Sequence, residues 1–217
     1  MTQLGDPSPI SNFVKINEIY VHEKASDWCR SYLRAALEHL LLWAEYVAPL
    51  NFPPDHEVTH SFRPAYTLAR AALESASQAV WTMAGGSARE CARRHLCLIR
   101  WDYEEHRKSL PTTNAKQHVQ EMDRLLLERT APAYKEVELK RPNHFTVLQA
   151  TAPIIDYVPE DLERIWRAAS GSAHGKVWPA IDLQHVVPLA EYEPGHFRTV
   201  RIPDVVGMTE ALEAAEP

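Results

Sequence analysis

Apolar side chains recur every three or four residues over several long stretches of this chain, which is the spacing of an amphipathic helix. The first stretch begins near Ser26, a candidate N-cap, and ends before the prolines that cluster between positions 49 and 54. The same period returns in four later stretches, at about 61–84, 87–109, 113–130 and 159–174. Long amphipathic helices joined by short connections predict a helical bundle.

Two shorter runs near the C-terminus indicate a different element. The runs 186–192 and 196–202 flank Glu193-Pro194-Gly195, a turn-forming sequence, so we predict a β-hairpin over about 186–202. Pro188 confines the first strand to an edge, because proline has no amide hydrogen to donate to a ladder.

The chain is therefore predicted to be mainly α, a helical bundle of four to six helices with a small C-terminal β-hairpin. Shorter helices are predicted around 145–151 and near 205–215. Residues 1–24 are predicted to form an irregular N-terminal arm, and residues 25–217 a single bundle domain.

Composition narrows the class of protein. Apolar residues make up 45% of the chain and charged residues 24%, as in a soluble globular protein. The chain has only seven glycines and no G-x-G-x-x-G or Walker-type run, which excludes the standard nucleotide-binding fingerprints. Its longest apolar run is far shorter than a membrane span needs, and no signal peptide is evident. We expect a cytoplasmic protein with no membrane association.

The spacing of the cysteines and the net charge limit the kinds of site and ligand that we expect. The three cysteines include no Cys-x-x-Cys pair, which argues against a disulfide framework or a zinc ribbon. The formal net charge of −6 argues against tight non-specific binding of nucleic acid. Lys and Arg outnumber Asp and Glu between residues 61 and 109, where a basic surface and an ordinary solvated helix face both remain open.

The predicted helix near 159–174 carries two adjacent stripes of side chains. At 100° per residue an apolar stripe faces the core, and a polar stripe lies beside it. Gly171 lies within this helix, where glycine costs about 1 kcal/mol relative to alanine, so we expect a backbone or ligand to approach it closely. The apolar stripe contains Leu162, Ile165, Trp166, Ala169 and Ala173, and the polar stripe contains Glu163, Arg167, Ser170 and His174.

The polar stripe combines the two groups that metal-free RNA cleavage requires. Arginine presents a fixed positive fork to a phosphate, and histidine exchanges a proton near neutral pH. Arg167 and His174 lie seven residues apart, roughly 10 Å along the helix axis. A long arginine side chain can lean toward a ligand that the imidazole also reaches.

The segment from Arg167 to His174 resembles the R-x(4–6)-H signature of the HEPN superfamily, whose members are helical bundles. The wider motif, with Trp166, Ser170 and Gly175, is similar to one in uncharacterised bacterial helical proteins. The resemblance implies a metal-independent endoribonuclease of toxin or defence type, acting as a homodimer whose signature helices meet at the two-fold axis.

The resemblance also implies roles for individual residues. Arg167 would bind phosphate, His174 would act as acid and base, and Ser170 would orient one of them. The ligand would be RNA or another phosphate-bearing molecule, with no metal and no cofactor, and an antitoxin-like protein is an expected partner.

A second polar group is predicted on the helix at 61–84. Arg70 and Glu74 are four residues apart at the edge of its apolar face, so their ion pair should be partly buried. With Trp178, they are predicted to contact the substrate beside the Arg167/His174 stripe. The open alternative is an ordinary salt bridge on or between helices.

Other functions remain open at this point. The protein could be a non-catalytic bundle that binds a partner protein or small molecule through the notch beside Arg167 and His174. A separate alternative gives the motif a structural role alone, with Arg167 paired with Glu163 on the surface and His174 capping the helix C-terminus. A small-molecule enzyme that uses the Arg70/Glu74 pocket is a third hypothesis.

The helix at 87–109 offers two further candidates. Asp102 and His106 are four residues apart and could ligate one metal ion, although no third ligand has suitable spacing. Arginines on its outward faces, with Trp101 among them, predict either a nucleic-acid-binding surface or a solvated, salt-bridged one. These arginines are at positions 89, 93, 94, 100 and 107.

Overall fold

The computed structural model describes residues 7–47 and 62–215, which form nine α-helices, two 3₁₀ helices and one two-stranded antiparallel sheet. The α-helices are α1 (Asn12–Ile19), α2 (Ala25–Val47), α3 (Phe62–Met83), α4 (Ala88–Ser109), α5 (Thr113–Thr130), α6 (His144–Thr151), α7 (Pro159–Ala173), α8 (Trp178–Asp182) and α9 (Val205–Glu213). The 3₁₀ helices are Glu136–Leu139 and Ala152–Ile154, and the strands are β1 (Gln184–Glu193) and β2 (His196–Pro203).

The mainly α class and the C-terminal β-hairpin are confirmed, but the predicted count of four to six helices is too low for the part of the chain that the structure describes. The long helices follow the apolar period closely. The helices that the pattern missed are α1 and α8, with eight and five residues. Such short helices contain too few turns for a period to stand out.

The N-terminal region corrects a second prediction. Residues 1–24 were expected to form an irregular arm, yet Asn12–Ile19 is helical. The Ser11 side chain accepts a hydrogen bond from the Phe13 amide at 3.2 Å and caps the helix start, and Ile16 is buried. Burial of one apolar face and a side-chain cap explain why this short helix forms.

The chain divides into two compact units, each built from two separate stretches of sequence. Of the described residues, the first unit contains 7–32 and 77–154, and the second contains 33–47, 62–76 and 155–215. Because their boundaries fall inside α2 and α3, these two helices contribute residues to both units. The single domain predicted for residues 25–217 stays a prediction.

The core of the first unit is built around α4. Ser87 caps the start of this helix by accepting the Glu90 amide hydrogen at 3.1 Å. Successive turns of α4 then bury apolar side chains in one cluster. Apolar side chains of α1, of α5 and of the 3₁₀ helix Glu136–Leu139 belong to the same cluster. The fully buried members of this core include Ile16, Leu96, Leu98, Ile99, Val119, Leu126 and Leu139.

The start of α2 is also in the first unit, and it differs from the prediction at one residue. Ser26 was expected to be the N-cap but lies inside the first turn and is buried. Its amide donates to the Asn17 side-chain oxygen at 3.3 Å, and its hydroxyl accepts from the Asn17 amide group at 3.1 Å. A side chain from α1 therefore satisfies an amide at the start of α2.

The second unit contains the first part of α3 together with α7, α8, α9 and the hairpin. Its α7 begins at Pro159, which suits the first position of a helix, and buries Leu162, Ile165 and Ala169. An ion pair between Arg164 and Glu210 joins α7 to α9. This unit holds every residue of the predicted site.

The hairpin follows the predicted turn. β1 pairs antiparallel with β2 from Gln184↔Pro203 to Glu193↔His196, with irregular register between Pro188 and Glu193. Gly195 has a φ of +78°, which glycine adopts without strain. All side chains from His185 to Ile202 are exposed.

No helix among the described residues is long and apolar enough to cross a membrane.

Candidate site at the C-terminal end of α7

The C-terminal end of α7 is closed by a Schellman motif. The Gly175 amide donates to the Ser172 carbonyl at 3.1 Å, and the Lys176 amide donates to the Gly171 carbonyl at 2.9 Å. Gly175 has a φ of +70°, the left-handed conformation that this motif requires. His174 is therefore the last residue before the chain turns away, and its side chain is exposed.

Arg63, from the first turn of α3, supports this helix end. Its Nη1 donates to the Ser172 carbonyl at 3.0 Å, and its Nη2 donates to the Lys176 carbonyl at 3.5 Å. A guanidinium at this position meets the negative end of the α7 dipole. Sequence reasoning missed Arg63. The signal was its position seven residues before Arg70, which places both arginines on one face of α3.

Arg70 is the arginine that contacts His174. Its Nη1 lies 3.2 Å from His174 Nε2. A guanidinium has donors but no acceptor, so a hydrogen bond at this contact runs from Arg70 to Nε2 of His174. The arginine that contacts His174 therefore comes from α3, whereas the resemblance named Arg167 of α7.

Two further side chains hold Arg70 in place. Arg70 Nε donates to Glu74 Oε1 at 2.7 Å, which confirms the predicted i,i+4 ion pair, and both side chains are largely buried, at 20% and 15% exposure. Trp166 Nε1 donates to the same Glu74 oxygen at 2.7 Å. A continuous chain of contacts thus runs from Trp166 through Glu74 and Arg70 to His174.

Arg167 lies on the exposed side of α7 and contacts its own helix. Its Nε donates to Glu163 Oε1 at 2.6 Å, and its side chain is 57% exposed. This surface pair is the one predicted by the alternative that gives the motif a structural role alone. The structure places Arg167 and His174 on one helix, and its hydrogen bonds join Arg167 to Glu163 and His174 to Arg70.

The two serines of α7, Ser170 and Ser172, have surroundings that the sequence did not predict. Ser170 is half-buried, and among the described residues its hydroxyl makes no hydrogen bond to Arg167 or His174. Its backbone carbonyl accepts the His174 amide at 3.0 Å. Ser172 is 1% exposed, and its hydroxyl has no hydrogen-bond partner within the described part of the chain.

The notch expected at Gly171 is filled by the chain itself. A Cβ atom built on Gly171 would lie 2.9 Å from Cγ of Pro179 and 3.2 Å from Cζ2 of Trp178. The close approach that the mid-helix glycine predicted is therefore made by α8. Trp178, predicted to contact substrate, packs its ring beside Gly171 and is still 44% exposed.

The metal-ligand candidates on α4 are not part of this site. Asp102 and His106 are both exposed. Across residues 7–47 and 62–215, no group of three or more His, Cys, Asp or Glu side chains lies close enough together to hold a metal ion.

The site thus offers an exposed imidazole, the Arg70 guanidinium in contact with it, and a carboxylate and an indole behind that guanidinium. A second arginine, Arg167, lies on α7. Those groups suit the binding of a phosphate and the transfer of a proton. Comparison with known proteins adds no relative: no protein-family model, no curated protein and no solved structure matches the chain.

Proposed function

We propose that the protein is a HEPN-like, metal-independent endoribonuclease of toxin or defence type. The observation that carries the proposal is the 3.2 Å contact between Arg70 Nη1 and His174 Nε2 at the exposed end of α7. In support, the contact holds a guanidinium, a group suited to binding phosphate, beside an imidazole, a group suited to proton transfer. The R-x(4–6)-H resemblance, from Arg167 to His174, adds a second arginine on the same helix.

In the proposed reaction His174 moves the proton. Its neutral Nε2 takes the proton of a ribose 2′-hydroxyl, and the 2′ oxygen attacks the adjacent phosphorus. The bond from phosphorus to the 5′ oxygen breaks, and that oxygen receives the proton from the imidazolium. The products are a 2′,3′-cyclic phosphate and a 5′-hydroxyl, so neither water nor a metal ion is consumed.

Arg70 would bind the phosphate that reacts. When a phosphate oxygen accepts from its Nη1, the Nε2 of His174 is released to accept the 2′-hydroxyl proton. Glu74 and Trp166 keep the guanidinium oriented, which preserves donors aimed at the charge that develops on phosphorus. Arg167 would exchange Glu163 for a second phosphate oxygen, and Ser170 would orient Arg167 or His174 in the complex with RNA.

The resemblance further suggests a homodimer whose two α7 helices face each other. In support, the stripe that carries Arg167 and His174 is exposed in the second unit. An antitoxin-like protein would regulate the enzyme by covering the same stripe.

A second candidate is binding without catalysis. It is favoured by the carboxylate partners of both arginines, since Arg70 lies 2.7 Å from Glu74 and Arg167 lies 2.6 Å from Glu163. Each pair is neutral overall, which weakens its attraction for a phosphodiester. Under this hypothesis the same surface binds a partner protein or a small molecule and no substrate is turned over.

The test is cleavage of single-stranded RNA in EDTA. Replacing a general acid–base removes about 100-fold or more of rate, so His174→Ala and His174→Gln should lower kcat by at least that factor. Glutamine can still accept from Arg70 but cannot shuttle a proton. Arg70→Ala should also lower kcat, and the wild-type products should end in a 2′,3′-cyclic phosphate.

Two exposed residues of α5 give matched controls. His118→Ala removes an exposed histidine, and Arg124→Ala removes an arginine paired with carboxylates on its own helix, as Arg167 is. Both controls should cleave at the wild-type rate, and circular dichroism should show unchanged helicity in every variant. Wild-type cleavage by His174→Gln would contradict the catalytic role. Binding of RNA without cleavage, lost in Arg70→Ala, would favour the second candidate.

A further inference from the structure

The first unit contains a cleft of about 880 Å³ that has no part in the His174 site. It lies between one face of α4, one face of α5 and the 3₁₀ helix Glu136–Leu139. The lining residues of α4 are spaced as one helical face, at positions 100, 103, 104 and 107, and those of α5 follow the same rule. Ordinary small-molecule sites have about this volume.

The floor of the cleft is apolar and rigid. Val119 and Leu139 are 2% and 0% exposed, and Tyr103 is 8% exposed, so these side chains present fixed surfaces from the core. Leu127 continues the floor along α5. The apolar surface of the cleft that water still reaches belongs to Leu127, which is half-buried, and to Val137, which is 62% exposed. An apolar body that covers these two side chains would remove their surface from water.

Arg100 lines one wall of the cleft and already donates its hydrogen bonds to acceptors within the protein. Arg100 Nε and Nη2 donate to the two carboxylate oxygens of Asp123 at 2.7 and 3.0 Å, and its Nη1 donates to the Leu139 carbonyl at 3.1 Å. This bidentate pair joins α4 to α5 and neutralises the charge of Arg100. Arg100 therefore shapes the cleft without offering it a free charge.

Positive charge nevertheless exceeds negative charge around the cleft. Its lining has five cationic side chains and three carboxylates. Arg124 pairs with glutamates of its own helix, and Arg141 pairs with glutamates of α4. Among the described residues, Arg107 and Lys140 have no carboxylate within ion-pair distance, so two cations at the rim lack a counter-charge.

We propose that this cleft binds a small molecule with an aromatic or other apolar body and one carboxylate or phosphate group. The body lies against Leu127, Val137 and the edge of Tyr103, and the anionic group is bound by Arg107 and Lys140. Both parts are needed, because the floor offers only apolar contact and the rim cations lack a partner. The site is independent of the proposed ribonuclease activity, since it shares no residue with it.

Three probes test separately whether binding needs the apolar body and whether it needs the anionic group. They are 1-naphthoate, 1-naphthyl phosphate and 1-naphthalenemethanol, which share the ring system and differ in the polar group. Methyl NMR titration of the full chain should show saturable shifts at Val119, Leu127 and Leu139 with an anionic probe and much weaker shifts with the alcohol. Tighter binding of the carboxylate or of the phosphate identifies the anionic group of the ligand class.

The double variant Arg107→Ala/Lys140→Ala tests the rim. Loss of charge-assisted contacts should weaken binding of the better anionic probe by about tenfold or more. Arg34→Ala/Lys116→Ala removes the same charge outside the cleft and should bind as the wild type does. Neither pair contributes to the core, so both variants should keep the wild-type spectrum.

Three results would overturn the proposal. They are the absence of saturable shifts at the floor with either anionic probe, equal affinity for the alcohol and the acids, and unchanged affinity in the Arg107→Ala/Lys140→Ala variant.

Discussion

At the scale of single residues, the most unusual environment is that of His95. This histidine is 2% exposed in the core of the first unit. Its Nε2 donates to the Glu23 carbonyl at 2.8 Å, and its ring meets Trp28 edge to face at 5.7 Å between centroids. Nδ1 has no hydrogen-bond partner within the described residues. Burial without a charged partner lowers the pKa of His95 to about 4.

This environment makes the first unit sensitive to acid. The pKa of His95 is lower in the folded chain than in the unfolded chain, where it is about 6.5. As pH falls from about 6.5 to about 4, the unfolded state takes up a proton that the folded state does not. We expect His95 to lower the free energy of unfolding by about 2 kcal/mol between about pH 7 and about pH 4.5.

Urea unfolding of wild type and His95→Gln at the two pH values measures this term. Glutamine can still donate to the Glu23 carbonyl but does not titrate, so the variant should lose about 2 kcal/mol less on acidification. His106→Gln, at an exposed position of the same helix, is the control and should behave as wild type. An equal acid-induced loss in wild type and His95→Gln would contradict the prediction.

Residue-scale chemistry was only partly predictable. The pair between Arg70 and Glu74 follows from i,i+4 spacing on a helix, and it is present. The surface pair of Arg167 with Glu163 has the same spacing and was one of the alternatives open from the sequence. The burial of Ser172 depends on which side of α7 faces its neighbours. Arg63 could not be assigned to the end of α7, because its two acceptors are backbone carbonyls more than 100 positions away.

At the scale of elements, the packing of α7 against α8 explains why a glycine lies inside a helix. Alanine is normally favoured over glycine in a helix by about 1 kcal/mol. At Gly171, however, a Cβ would lie 2.9 Å from Pro179 Cγ and 3.2 Å from Trp178 Cζ2. Both α8 side chains belong to a short helix that Gly171 allows to approach.

Gly171→Ala is therefore expected to destabilise the protein despite its higher helix propensity. Overpacking of this kind costs about 1–3 kcal/mol, so a net loss of about 1 kcal/mol is expected after the helix gain. Thermal or urea unfolding of Gly171→Ala, Pro179→Ala and the double variant completes a double-mutant cycle. The alanine at 171 should be much less harmful when the Pro179 ring is absent.

Additive effects in the cycle, or a net gain of stability from Gly171→Ala alone, would contradict this account of the α7–α8 contact.

The helices were predicted correctly where the apolar pattern continues over several helical turns. The helices α3, α4, α5 and α7 begin and end within about two residues of the predicted bounds, because caps, prolines and glycines mark their termini. The hairpin followed from two runs around a turn. α1 and α8 were missed because a helix of one or two turns is stabilised by its tertiary contacts more than by its own pattern.

At the scale of the whole molecule, burial is unevenly distributed. Within the first unit, α4 buries Leu96 and Ile99 completely, at 0% exposure each. Within the second unit, Val187, Val200 and Ile202 of the hairpin are 41–49% exposed. A two-stranded hairpin with no buried face has little beyond its own ladder to stabilise it.

Hydrogen exchange should follow this distribution. Amides of β1 and β2 are expected to exchange orders of magnitude faster than those of α4, because local opening exposes the hairpin at little cost. Exchange monitored by mass spectrometry on peptides from 184–203 and 88–109 measures the difference. Protection of the hairpin equal to that of α4 would contradict the expectation and would mean that another chain covers it.

By itself, the sequence determined the mainly α class, the bounds of the long helices, the hairpin and the Arg70–Glu74 pair. Each depends on residues within one or two turns of each other, where period and spacing carry the information. Tertiary structure alone decided that Arg70 contacts His174, since these residues lie 104 positions apart. It also decided that α8 occupies the space beside Gly171, because only packing between elements brings these residues together.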